Sequence, residues 1–112
     1  MMKIRNKVQL IGNLGNDPQI TKLENGNSLA KFSVATNESY LNKAGERIEN
    51  TQWHNIIAWG KTAEIVEKIL KKGNEVVVEG KLINRSYEDD KGVKRYTTEI
   101  QANELLKISA KE

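Results

Sequence analysis

The chain has no cysteine, one histidine and one proline in 112 residues. Without thiols there is no disulfide framework and no thiol chemistry, and a lone imidazole cannot assemble the His/Cys sets that hold zinc. That imidazole, His54, has no second histidine and no ordered carboxylate set to work with, which argues against a metal or catalytic role. Phosphate-cradling glycine loops and nucleophile elbows are missing too, so no enzymatic activity, catalytic residue or cofactor is expected. No apolar run approaches the length of a bilayer span, and the mean hydropathy is −0.63. Residues 1–7 carry charge but are not followed by the apolar core of a secretory signal. The expectation is a protein without membrane contact that stays in the cytoplasm. Aromatic side chains are scarce as well: two Trp, three Tyr and one Phe.

With 38% hydrophobic and 29% charged residues, the composition is that of an ordinary globular domain. A chain of this size fits a single domain, residues 1–112, with its core at about 7–103 and a short tail at 104–112. Residues 7–14 alternate, with Val8, Leu10, Gly12 and Leu14 on one face, and predict a half-buried strand. Gly15, Asn16, Asp17 and Pro18 turn the chain, a short extended stretch follows, and Glu24 to Asn27 mark a hairpin. Residues 28–37 form the second strand, with Ala30, Phe32 and Val34 inward and Lys31, Ser33 and Ala35 outward. Polar residues between 41 and 50 predict a long, mobile loop. The third strand covers 51–59. The period then changes to helical over 61–72, where Ile65, Val66, Ile69 and Leu70 recur and Glu64 and Glu67 precede Lys68 and Lys71 by four residues; Gly73 stops this helix. The fourth strand, 75–87, buries Val76, Val78 and Leu82. The fifth, 94–103, buries Tyr96, Ile100 and Ala102. Five strands with one helix between the third and fourth is the element order of an OB-fold, an all-β Greek-key barrel.

Four of the six aromatics, Tyr40, Trp53, Trp59 and Tyr87, fall at strand ends or on polar-patterned faces beside cationic residues. Aromatic rings interleaved with Lys and Arg on a sheet form a sequence-tolerant platform for single-stranded nucleic acid, because every base has a π-face and every nucleotide a phosphate. The net charge of +3 is too small to decide this; its distribution matters more. Trp53 and Trp59 share strand parity, and Tyr87 shares it with Arg85. Pattern alone leaves the two tryptophans open between core and platform. Tyr40 on an unbroken strand points with Phe32 and Val34, so its exposure requires the strand to end or twist near Asn37. Phe32 and Tyr96 alternate in phase with aliphatic residues and read as core.

The segments NKVQLIGNLGNDP, SVATNESY, TQWHNIIAWGK, KKGNEVVVEGKL and RYTTEI, in this order and spacing, resemble successive blocks of the bacterial single-stranded DNA-binding protein family over residues 7–103. The resemblance implies a non-catalytic coat for single-stranded DNA, usually a homotetramer, acting in replication, recombination and repair. It implies base stacking by Tyr40, Trp53, Trp59 and Tyr87. Phosphate contacts are implied for Lys7, Lys61, Lys72 and Arg85; Asn55 is expected to make a polar contact, and Lys43 and Arg47 on the long loop, with Lys91, Lys94 and Arg95 around the last hairpin, read as clamps. It places His54 at a subunit interface and pairs first strands across a dimer, at the edge carrying Gln9 and Ile11. Asn55, Ile83 and Ser86 stand where family members carry basic residues, which predicts a shallower salt dependence, since affinity for single strands falls with each counterion released. The acidic tip through which family members recruit other proteins has no counterpart before Glu112, so recruitment through a tail is not expected. A related OB protein of the primosome, or an RNA-binding barrel, would use the same stacking in a different assembly, and an RNA-specific module would depend on the 2′-hydroxyl.

Overall fold

The computed structural model describes residues 5–108. Its elements are β1 (Val8–Leu14), β2 (Gln19–Lys22), β3 (Ser28–Leu41), β4 (Arg47–Trp59), α1 (Gly60–Ile69), β5 (Glu75–Glu88) and β6 (Lys94–Ile108). The five long strands run β1-β5-β6-β4-β3 and close into a barrel where Asn13 and Leu14 pair with Ala35 and Val34. This is the OB-fold order expected from the element sequence. The stretch after Pro18 is a sixth, short strand: β2 pairs antiparallel with the start of β3, from Lys22 opposite Ser28 to Gln19 opposite Lys31.

Alternation builds the core. Ala30, Phe32 and Val34 of β3 meet Ile56 and Ala58 of β4, Val76 and Val78 of β5, and Ile100 and Ala102 of β6, all buried. α1 packs against β3, β4 and β6 and adds Ala63, Val66 and Leu70. Ala63 thus takes the place expected of Ile65 on the helix's inner face, and both Ile65 and Ile69 are exposed. The helix is also shorter than its apolar spacing suggests. It ends where the Leu70 N–H bonds back to the Val66 carbonyl and Leu70 turns extended. Residues 71–74 form a separate turn, tied to β1 by Leu14 N–H to Asn74 O and Gly73 N–H to Leu14 O, each at 2.9 Å. Glu67 reaches out of the helix to Lys22 at 3.1 Å instead of along it to Lys71.

Three strands run further than their sequence suggests. β3 and β4 stay paired without a break to Leu41 and Arg47, so the region read as a mobile loop is a ribbon closed by a tight turn at Asn42 to Glu46. There Asn42 Oδ1 accepts the N–H groups of Ala44 and Glu46. β5 and β6 form a second ribbon that reaches Glu88 and Lys94. Both ribbons outrun the barrel, so their inner faces lose their cover. Tyr96 is therefore 74% exposed, against the core position its alternation predicts; Leu82, also expected in the core, is exposed although it pairs with the buried Ile100. β6 continues beyond Asn103 to Ile108, which pairs with Glu75; residues 109–112 of the expected tail lie outside the described residues.

Candidate nucleic-acid interface

Strand parity sorts the candidates before any distance is considered. On the outer face of β3 and β4, Trp53 lies across from Ala35, Asn55 from Ser33, Ile57 from Lys31, and Trp59 from Leu29. β6 joins this surface through the parallel pairing of Ile57 with Gln101, and its outer side chains include Glu99, opposite Ile83 of β5. Ile57 is buried although it faces outward, because it is the floor of a groove. One part of this groove is lined by Asn16, Lys31, Ser33, Asn55, Ile57 and Glu99. The adjoining part is lined by Leu29, Lys31, Ile57, Trp59, Arg85 and Glu99.

The two tryptophans flank this floor, Trp53 62% and Trp59 40% exposed. Aromatic surface left open to water on a sheet that could have buried it is available for a flat ligand. Trp59 ends β4 and is the residue from which α1 begins, so both elements fix its backbone. Trp53 is fixed from outside its strand. A methyl group placed on Gly15 would overlap Cζ3 of the Trp53 indole, so the ring rests against bare backbone. The turn carrying Gly15 is itself anchored to β3: Gly15 N–H donates to the Ser33 carbonyl at 3.0 Å, and Asn16 Oδ1 accepts from the Ser33 N–H at 3.0 Å and hydroxyl at 2.9 Å.

Tyr40 and Tyr87 lie on the ribbons. Tyr40 pairs with Ile48 on the same pleat face as Phe32 and Val34, opposite to that of Trp53. It is exposed because the ribbon has left the barrel, and no bulge or strand end is needed. Tyr87 lies on the outer face with Arg85, directly across from Arg95.

The candidate cations divide into two groups. Arg85 pairs with Glu99 (2.8 Å), Arg95 with Asp89 (3.0 Å) and Lys7 with Glu79 (3.4 Å). The Asp89 carboxylate is held below its ordinary range, first by the Val93 N–H, then by Arg95 and by the Lys91 N–H; Arg95 thus braces the β5–β6 turn through Nε while its side chain stays largely exposed. Lys43, Arg47, Lys61 and Lys72 form no ion pair among the described residues; the Arg47 guanidinium donates to Ser39 Oγ at 3.3 Å. Lys61 is in the first turn of α1, two residues beyond Trp59. The Lys72 N–H donates to Asp17 Oδ1 at 2.8 Å, which docks the lysine's turn on the loop that supports Trp53. Lys7 stands apart. It neighbours Glu79, Lys81 and Glu104 on the β1–β5 wall, not the groove.

His54 lies across β4 from Val34, which pairs with Leu14 of β1. It is half-buried, with Nε2 3.0 Å from Thr36 Oγ1, next to the point where β1 parts from β3. Among the described residues no group of three His, Cys, Asp or Glu side chains could hold a metal ion, and no helix is long and apolar enough to cross a membrane.

The groove thus brings together Asn55, Trp59 and Arg85, with Trp53 next to Asn55 on the same face of β4, while Tyr40, Lys43 and Arg47 lie on one ribbon and Tyr87 and Arg95 on the other. Sequence reasoning missed Gly15, Asn16, Lys31 and Glu99. For Lys31 and Glu99 the signal was present: the alternation that turns Phe32 and Ile100 inward turns these two outward. Nothing in the local pattern of Gly15 announces a tryptophan from a distant strand.

The single-strand binding protein family matches residues 5–108. Single-stranded DNA-binding protein 1 of Chlorobaculum tepidum is 45% identical over 108 residues, 96% of this chain and 67% of that protein. Its Xylella fastidiosa namesake is also 45% identical over 108 residues, 96% of this chain and 79% of that one. Among solved structures, an SSB complex with ssDNA from Plasmodium falciparum superposes with a TM-score of 0.86 at 32% identity, covering 97% of this chain and 99% of that one. A deletion mutant of the single-stranded DNA-binding protein from Thermus aquaticus superposes at 0.81 and 27% identity, over 93% of this chain and 50% of that one.

Proposed function

Since the chain belongs to the single-strand binding protein family, we propose that it binds and protects single-stranded DNA during replication, recombination and repair, largely irrespective of sequence and without catalysis. The observation that carries this reading is the outer groove, an apolar floor at Ile57 with Lys31 and Arg85 in its walls, on a strand face that also carries the open rings of Trp53 and Trp59. Bases stack on Trp53 and Trp59, and the strand continues onto Tyr40 and Tyr87 along the two ribbons. Asn55 offers its amide to the groove. Lys61 and Lys72, close to the tryptophans and free of ion pairs among the described residues, take phosphates; Lys43 and Arg47 extend this path along one ribbon, Arg85 and Arg95 along the other. Lys7 contributes from a separate wall if the strand wraps the assembly.

The protein works as one OB domain in a homotetramer, within the cytoplasm and on the nucleoid. Support for assembly comes from an apolar row that the monomer leaves open: Ile11 pairs with Val77 and Val77 with Leu106 across three strands, beside an edge of β1 that is unpaired among the described residues. Sheet edges and apolar patches of this kind call for cover. His54, next to that edge, belongs to the same interface.

Titration with a mixed-sequence DNA of about 35 nucleotides, followed by tryptophan fluorescence, tests the reading. Saturable quenching by the single strand, weak with duplex and softened by salt, is the expected result, with RNA of the same sequence not preferred. Unchanged fluorescence and no binding by a second method would refute it.

A further inference from the structure

Glu99 is out of place in a groove for a polyanion. Its side chain is 15% exposed, it lines both parts of the groove, and its Oε1 is enclosed without accepting a hydrogen bond. A buried carboxylate oxygen in that position is costly unless an opposite charge compensates it. The compensation is Arg85, whose Nε stands 2.8 Å away while half of its side chain remains open to solvent. The guanidinium has five N–H donors in a planar fork. Nε lies against Glu99 as an ion contact without a hydrogen bond to Oε1, which leaves the guanidinium's donors for a second anion.

We propose that Glu99 is a built-in counter-ion for Arg85, a positioning residue that holds the guanidinium in the groove wall and cancels part of its charge until a DNA phosphate competes for it. The inference rests on the reading of the groove as the DNA site. Electrostatics gives it direction. A free arginine contacting a phosphate displaces a condensed counter-ion from the strand and steepens the salt dependence. An arginine already facing a carboxylate adds little net charge to the groove, so Arg85 contributes position more than salt-sensitive affinity. Stacking on Trp59 beside it then carries a larger share of binding, and a strand can be released without removing a strong fixed ion pair.

The test compares wild type, E99Q and the double variant R85Q/E99Q for binding to oligothymidylate and oligodeoxycytidylate across a salt series. The E99Q change keeps the shape of the side chain and removes its charge. E99Q is expected to bind both oligomers about tenfold more tightly at low salt, the worth of one charge-assisted contact. Its log affinity is expected to fall more steeply with log salt by about 0.7, the increment for one phosphate on a single strand. R85Q/E99Q should lose both gains, because they act through Arg85, and it keeps the test decisive if charge removal alone perturbs the fold. An unchanged slope in E99Q, a gain that survives in R85Q/E99Q, or a change confined to one of the two oligomers would each overturn the proposal, the last by assigning Glu99 to base edges. If wild type itself fails to bind either oligomer, the DNA-site reading falls, which separates the two failures.

Discussion

Trp53 owes its place to a residue that has no side chain. The indole leans on Gly15, and Gly15 is held to β3 through its own N–H and through Asn16. Two substitutions separate the ring from its support. Trp53→Ala removes the stacking surface and is expected to cost about 1–3 kcal/mol of single-strand affinity, with Trp59 remaining as the fluorescent reporter. Gly15→Ala leaves every aromatic in the chain but pushes the indole out of its rest. Its expected effect is a loss of affinity in the same direction, with Trp53 emission shifted in the free protein. If Gly15→Ala binds as wild type does and its emission is unmoved, Trp53 is oriented by something other than the loop.

Among the elements, β5 carries the most demands, since it pairs with β1 over its first half and with β6 over its whole length. Its register with β6 shifts between Glu79 and Gly80, where β6 carries Asn103 as an extra residue. A methyl on Gly80 would overlap the Gln101 carbonyl oxygen, so this close approach of two backbones admits only glycine. Gly80→Ala is expected to destabilise the barrel by about 1–3 kcal/mol, the usual cost of overpacking, as a lower midpoint in denaturant unfolding. Alternation over Ala30, Phe32 and Val34, or over Val76 and Val78, made the barrel strands legible, because one face is buried and selects apolar residues. Past Asn37 on β3 and past Arg85 on β5 neither face is buried. The pattern dissolves there although the backbone pairing continues, which is why residues 41–50 resembled a loop. Tyr96 misled in the opposite sense, keeping the inward parity of Ile100 after the core beneath it had ended. Parity put both tryptophans on one face without saying whether that face was core or surface; the support of Trp53, Gly15 and Asn16, comes from a turn far away in the chain, which no local period can reveal.

At the scale of the whole molecule, the groove and the apolar row are on different walls of the barrel. Trp53, Trp59 and Arg85 look outward from β4 and β5, whereas Ile11, Val77 and Leu106 span β1 and the far ends of β5 and β6. The two can therefore be uncoupled. Leu106, 64% exposed and at the end of the row, can accept a lysine without disturbing the core, and a charge there opposes burial against a second copy. Leu106→Lys is expected to reduce the proposed homotetramer to smaller species, down to the monomer, in light scattering after size exclusion. A DNA of about eight nucleotides, within the span of one OB domain, should bind the variant as tightly as wild type. A DNA of about 35 nucleotides should bind more weakly, because a strand that engages several linked sites gains from effective concentration and loses that gain when the sites separate. An assembly unchanged by Leu106→Lys would assign the interface to another surface, and equal loss on both lengths would mean that the groove depends on its neighbours for its shape.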